Sequence, residues 1–198
     1  ADPALVARVA AADLVLAVGD RLDDPTTDGF TLFPPPGAGR RLVHVHPEPR
    51  ELGRVFLPTI SIAAEPEAFL RALPPIAGDR ARSAWTAAAR AGYVAWSATE
   101  SVLDEVARGM RDVLPDDAIV TNGAGNFTRP LQRSFAYRRP GRQLAPVGGS
   151  MGYGLPAALA AKLAHPDRVV VCVAGDGDLL MTAQELATMM LEGAAVVV

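Results

Sequence analysis

Apolar residues in this chain fall into two patterns. Short stretches rich in Val, Ile, Leu and Ala, four or five residues long, have the length and composition of buried strands. They lie at 14–18, 42–45, 59–63, 118–121, 169–173 and 194–198. Between them, apolar residues recur at spacings of three and four, the period of a helix with one packed face. That pattern predicts helices over 5–12, 66–73, 80–99, 101–114, 127–135 (broken near Pro130), 155–164 and 180–191, with a shorter one over 47–54 opened by Pro47 and Pro49. In 101–114, Val102, Leu103, Val106, Met110, Val113 and Leu114 form one stripe, and Ser101 with Asp104 offers an N-terminal cap. Gly193 is placed to end the last helix. Strands alternating with helices predict an α/β fold with parallel sheets flanked by helices.

The breaks in the pattern divide the chain. Residues 21–39 are dense in Asp, Thr, Pro and Gly, include Pro34-Pro35-Pro36, and read as an irregular loop. Residues 74–79, Pro-Pro-Ile-Ala-Gly-Asp, read as a linker. The Ala-rich stretch after it carries Trp85, Tyr93 and Trp96 as large apolar anchors. The expected organisation is an α/β domain over 1–75, a linker and connecting helix over 76–100, and a second α/β domain over 101–198. A helical pattern begins almost at Ala1 and a strand pattern is still running at Val198, so the fold is expected to be incomplete at both ends and the chain to be part of a longer protein.

Composition narrows the function classes. The 198 residues are 49% hydrophobic with a net charge of −3, a globular balance. No apolar run reaches the length of a membrane span, and no signal-like start is present. Cys172 is the single cysteine, so there is no disulfide framework and a cytoplasmic setting is expected. Mild acidity and 6% aromatic content leave no nucleic-acid footprint.

The candidate chemistry lies in glycine-rich segments at strand ends. Gly175-Asp176-Gly177-Asp178 follows the strand at 169–173 and opens a helix. Glycines let backbone approach a ligand closely, and a helix start presents free N–H groups suited to phosphate. The two carboxylates would repel phosphate unless a divalent cation bridges them to it, so the turn reads as a metal-assisted diphosphate site. The competing reading is a tight βα turn with solvated acids. Two more such segments, 122–126 and 148–154, stand at similar junctions, and neither spells G-x-G-x-x-G. His44, His46 and His165 lack metal-ligand spacing and read as structural. Arg138, Arg139 and Arg142 read as a solvated turn, and Asp23-Asp24 as solvated loop acids.

The combination VTNGAGNF, GGSMGYGLPAALAAKLA and VVVCVAGDGDLLMTAQELAT resembles the diphosphate-binding domain of thiamine-diphosphate enzymes, most of all their acetolactate synthase branch. The stretches ADLVLAVGDRLDD and RLVHVHPEPRELGRVFLP resemble the end of that branch's central domain. The resemblance implies a thiamine-diphosphate-binding fold. Asp176 would be a Mg²⁺ ligand, and Gly175, Gly177 and Asp178 would surround the diphosphate, Asp178 through its backbone N–H. Ala124, Gly125 and Asn126 would form a second phosphate-contacting turn. The Gly149 carbonyl would accept from the aminopyrimidine, and Met151 would wedge between the cofactor's rings. The implied activity is decarboxylation of a 2-keto acid with acyl transfer, in at least a homodimer, with no nucleic-acid or membrane partner.

The sequence departs from that family in several places. The second Mg²⁺ ligand, an Asn, and the cofactor-activating Glu both fall outside these residues, so no catalytic residue is assigned here and the stretch alone is expected to be inactive. Phe127 replaces a polar His of acetolactate synthases, which removes a phosphate contact. Pro25 and His46 replace an Arg and an Asp of the flavin-binding version, which stands against FAD. Two other functions fit the residues: a simple 2-keto acid decarboxylase, and a non-catalytic phosphate- or nucleotide-binding module.

Overall fold

A computed structural model describes residues 3–32, 41–75, 80–98 and 101–198. The proline run at 34–36, most of the linker at 74–79 and the last residue of the helix expected to reach 99 lie outside the described residues. The chain forms two compact units, Ala1–Ala95 and Trp96–Val198.

In the first unit, helix α1 (Pro3–Ala10) leads into strand β1 (Leu14–Val18), followed by β2 (Arg41–His46), β3 (Ile60–Ala63) and helix α2 (Pro66–Ala72). The three strands are parallel in the order β1-β2-β3. The helix expected over 47–54 is a single 3₁₀ turn, Pro49–Glu51, capped by the Glu48 side chain accepting from the Arg50 N–H. Gly53, with φ +80°, follows it. Helix α3 (Arg80–Ser97) continues from this unit into the next. Trp85 and Tyr93 do not anchor a core there: both are about half exposed. Trp85 instead stacks under the Arg8 guanidinium, 5.7 Å from the ring centroid.

The second unit runs α4 (Val102–Val113), β4 (Ile119–Asn122), α5 (Thr128–Ser134), β5 (Gln143–Leu144), α6 (Gly154–Ala164), β6 (Val170–Val173), α7 (Asp176–Leu180) and α8 (Glu185–Leu191). Its sheet is parallel in the order β5-β4-β6. Val197 bridges β6 in parallel, with Val197 N–H to the Val170 carbonyl at 3.1 Å and Cys172 N–H to the Val197 carbonyl at 2.7 Å. All four residues of β4 are buried. Because side chains alternate along a strand, Ile119 joins a cluster with Leu155, Ala158, Leu159 and Met189 of α6 and α8, while Val120 joins Ala107, Leu131 and Phe135 from α4, α5 and the residue after it. Helices therefore cover both faces, as continuous apolar strands require.

Three helical expectations change in this unit. The run 180–191 is not one helix but α7 and α8, separated by residues 181–184. There the Thr182 hydroxyl donates to the Gly152 carbonyl at 3.0 Å, and this tertiary bond holds the turn that interrupts the run. Pro130 does not break α5. It is the third residue of that helix, where its missing N–H would have had no intrahelical partner. In α4 the apolar stripe is not the buried face. Asp104, Ala107 and Arg111 point inward, while Val102 and Val113 are 76% and 81% exposed. The reason is a polar partner on α5, described below. The caps hold as read. Ser101 accepts from the Asp104 N–H. Gly193, at φ +60°, closes α8 with Gly193 N–H to Met190 and Ala194 N–H to Met189, a Schellman arrangement.

Candidate functional site

Strand order positions the site. β4 connects toward β5 on one edge, whereas β6 connects through α7 and α8 toward Val197 on the other. Adjacent parallel strands whose connections diverge leave a crevice at their carboxyl ends, where ligands of open α/β sheets bind. Asn122 and Val173 are register partners at those ends. The turns that follow them, 123–127 and 174–178, consequently lie side by side.

The third glycine segment is drawn to the same place. The Thr121 hydroxyl donates to the Gly154 carbonyl at 2.8 Å. A Cβ at Gly154 would lie 2.8 Å from the Gly123 nitrogen and 3.0 Å from the Asn122 carbonyl carbon, so only glycine lets the start of α6 meet the end of β4. Gly152, at φ +82°, is also required: a Cβ there would press on Met181 and Thr182. These constraints bring 122–126, 148–154 and 175–178 together.

Asp178 lies at their junction. It is 3% exposed, and its Oδ1 accepts from the Gly152 N–H at 2.7 Å and the Ala124 N–H at 3.4 Å. Asp176, two residues earlier, is exposed. Met151 is 45% exposed, with its Cε 3.5 Å from where a Cβ of Gly177 would stand. Gly125 and Asn126 are exposed and Ala124 half-buried. Gly149, at φ +68°, has open space around it and donates to the Pro146 carbonyl at 3.4 Å. The Phe127 ring packs over Gly125 and Gly175, whose added Cβ atoms would lie 2.8 and 3.0 Å from it. An apolar ring thus fills the gap between two of the turns.

Several site-supporting residues have no conspicuous sequence signal. Thr121 and Thr182 hold backbone carbonyls of the third segment, and neither type at its position suggests that role. Gly152 and Gly154 could have been singled out from the density of glycine in 148–154. Beneath the site, Cys172 is buried beside Thr121. Burial pushes its thiol pKa up, the Thr121 hydrogen bond opposes this, and the charge of Asp178 adds to it. A cysteine so placed is a packing residue.

The remaining candidates have local partners. The His44 Nε2 lies 2.8 Å from the Asp20 carbonyl, and the His46 Nδ1 accepts from the Glu48 N–H at 3.0 Å. Arg138 pairs with Asp116 at 2.8 Å. The Asp23 carboxylate accepts from the Thr26 N–H at 3.2 Å. Among the described residues, no three His, Cys, Asp or Glu side chains gather as a metal cage. No described helix is long and apolar enough to cross a membrane.

Residues 123–198 match the thiamine pyrophosphate enzyme C-terminal TPP binding domain, and residues 1–73 match the thiamine pyrophosphate enzyme central domain. The chain belongs to the thiamine pyrophosphate enzyme family. Among curated proteins, this family member is 35% identical to the probable acetolactate synthase 2, chloroplastic, of Oryza sativa subsp. japonica, across 91% of this chain and 29% of that protein. It is 32% identical to the acetolactate synthase isozyme 1 large subunit of Escherichia coli (strain K12), across 89% of this chain and 32% of that protein. A third relative, acetolactate synthase 2, chloroplastic, of Nicotiana tabacum, is 31% identical across 93% of this chain and 29% of its own length. The chain thus spans about a third of the length of these relatives.

Proposed function

We propose that thiamine diphosphate and Mg²⁺ bind where the three glycine turns converge, and that the complete protein uses them to decarboxylate a 2-keto acid and transfer the acyl group to a second carbonyl compound. The observation that carries this reading is the side-by-side placement of 122–126, 148–154 and 175–178 at the divergence point of a parallel sheet. The family match and the acetolactate synthase relatives supply the cofactor and reaction class.

The residues present suit such a cofactor. Asp176 offers an exposed hard oxygen donor at the crevice. Mg²⁺ commonly takes one or two carboxylates and completes its shell with phosphate oxygens and water, so a lone accessible acid fits it better than a cage would. Gly175, Gly177 and the Asp178 N–H would border the diphosphate from one side, and Ala124, Gly125 and Asn126 from the other. The Gly149 carbonyl would accept from the aminopyrimidine. Met151, half exposed beside Gly177, would support the bend between the rings. When bound, thiamine diphosphate supplies the carbanion chemistry that releases CO₂. The protein's part is to hold it, orient it and exclude water. Phe127 contributes to the last of these by closing the gap over Gly125 and Gly175.

The rest of the reading follows the family. Residues 1–75 would be the end of a central domain, 76–100 a linker and connecting helix, and 101–198 the first part of the diphosphate-binding domain. The second Mg²⁺ ligand and the activating Glu would come from segments beyond these residues, in an assembly of at least two copies. FAD is not part of the proposal, because His46 is engaged in a local turn with Glu48 and Pro25 carries no charge. The proposed location is the cytoplasm, although plant relatives carry "chloroplastic" in their names.

The test is turnover by the complete gene product with thiamine diphosphate, Mg²⁺ and pyruvate, following CO₂ and the organic product. Acetolactate is the expected product. Acetaldehyde would keep the cofactor and replace carboligation by simple decarboxylation. No CO₂ from pyruvate or other 2-keto acids would overturn the reaction.

A further inference from the structure

Asp176 and Asp178 look alike in sequence, and the structure separates them. Asp176 is exposed at the first position of α7. Asp178 is turned inward, with Oδ1 taking the Gly152 N–H at 2.7 Å and the Ala124 N–H at 3.4 Å. A Cβ added to Gly123 would lie 1.8 Å from that Oδ1 and 2.3 Å from Oδ2. The carboxylate therefore occupies the volume that any side chain at 123 would need. Its two donors belong to the other two glycine segments. One immediately follows Met151, and the other immediately precedes Gly125-Asn126. The Gly152 peptide is held from the opposite side as well, through its carbonyl and the Thr182 hydroxyl at 3.0 Å.

From this geometry we infer that the Asp178 carboxylate is a positioning residue that fastens the three glycine turns to one another, and that it is neither a metal ligand nor a phosphate contact. Glycine turns have little intrinsic preference for one shape, and a site that must receive a diphosphate needs its backbone donors fixed beforehand. A buried carboxylate accepting from two backbone N–H groups does this with charge-assisted hydrogen bonds. Removing it leaves the buried Gly152 N–H and the half-buried Ala124 N–H without this acceptor. The inference rests on the proposed cofactor site for its effect on binding, while the clasp itself is a property of the protein alone.

Two readouts test it in the complete gene product: thiamine-diphosphate affinity across a Mg²⁺ titration, and amide hydrogen exchange over 120–128 and 148–156 without cofactor. Asp178→Ala is expected to weaken the cofactor's Kd about 10- to 100-fold at saturating Mg²⁺ and to speed exchange in both segments. Asp178→Asn keeps an acceptor oxygen. It is expected to stay within about 3-fold of wild type in Kd, with exchange protected and the Mg²⁺ requirement unchanged. Asp176→Asn should lose the gain in cofactor affinity that Mg²⁺ brings, while keeping both segments protected. If Asp178→Asn loses Mg²⁺ dependence as Asp176→Asn does, Asp178 is a metal ligand and the inference fails. Wild-type exchange in Asp178→Ala overturns it equally. Should wild-type protein not bind thiamine diphosphate at all, the functional proposal falls, and the cofactor-free exchange data still decide the clasp.

Discussion

At the scale of single residues, burial separates acids that the sequence presents as equals. Asp104 is fully buried, accepting from Arg133 through both Nε at 3.1 Å and a terminal nitrogen at 2.5 Å, and from the hydroxyls of Ser134 and Ser101 at 2.6 Å each. The Arg133 hydrogen bonds hold its carboxyl well below the usual carboxylate range. Burial opposes them, and the two serines add to the lowering. Because the folded value lies below the unfolded one of about 3.9, this group stabilises the fold fully above roughly pH 4 and loses that contribution as the pH falls further. Asp104→Asn should therefore be less stable at neutral pH yet decline less steeply below about pH 4; urea midpoints between pH 3 and 7 measure this, and parallel acid limbs would contradict it. The cap formed by Ser101 was legible in sequence, since it is local. The pair with Arg133 was not, because its partner lies 29 positions away. Asp176–Asp178 follows the same rule: the glycines flag a ligand turn, but only the fold determines which acid faces inward.

At the scale of elements, strands were read closely and helix faces were not. β1 matches its expected bounds, and β2, β3, β4 and β6 differ by one residue at one or both ends, because continuous apolar runs between turns have few alternatives; the two-residue β5 was not expected, and the run at 194–198 forms a single bridge at Val197 instead of a strand. Helix α4 shows what periodicity misses. Its stripe of Val102, Leu103, Val106 and Val113 faces outward, with only Met110 and Leu114 packing against the core cluster. The inward face is set by Asp104 reaching α5, by Ala107 giving room for close approach, and by Arg111. Arg111 lies 5.2 Å over the Phe135 ring and donates to the carbonyls of Leu114 and Pro115. Ala107, 2% exposed beside Val120 and Leu131, is the packing test. Ala107→Leu is expected to cost about 1–3 kcal/mol by overpacking, read as a lower denaturant midpoint, and an unchanged midpoint would mean that the face has room to spare. The split between α7 and α8 escaped for a similar reason: the Thr182 bond to Gly152 crosses 30 positions.

At the scale of the whole molecule, both units are parallel α/β structures, as the alternation of strands and helices predicted, and each carries a match to a domain of the thiamine pyrophosphate enzyme family. The candidate site belongs entirely to the second unit, whose strand order draws together three segments separated by up to about fifty residues. Which turns carry glycine was readable; that they meet follows from β4 pairing with β6 on one side as well as with its sequential neighbour β5 on the other. The account depends on this meeting point being a Mg²⁺-dependent diphosphate site. The decisive measurement is calorimetric titration of thiamine diphosphate into the complete gene product, with and without Mg²⁺, beside Asp176→Ala. The account predicts binding that requires Mg²⁺ and a loss in the variant of about 100-fold or more. Equal binding by wild type and variant without Mg²⁺, or preference for a dinucleotide over thiamine diphosphate, would contradict it.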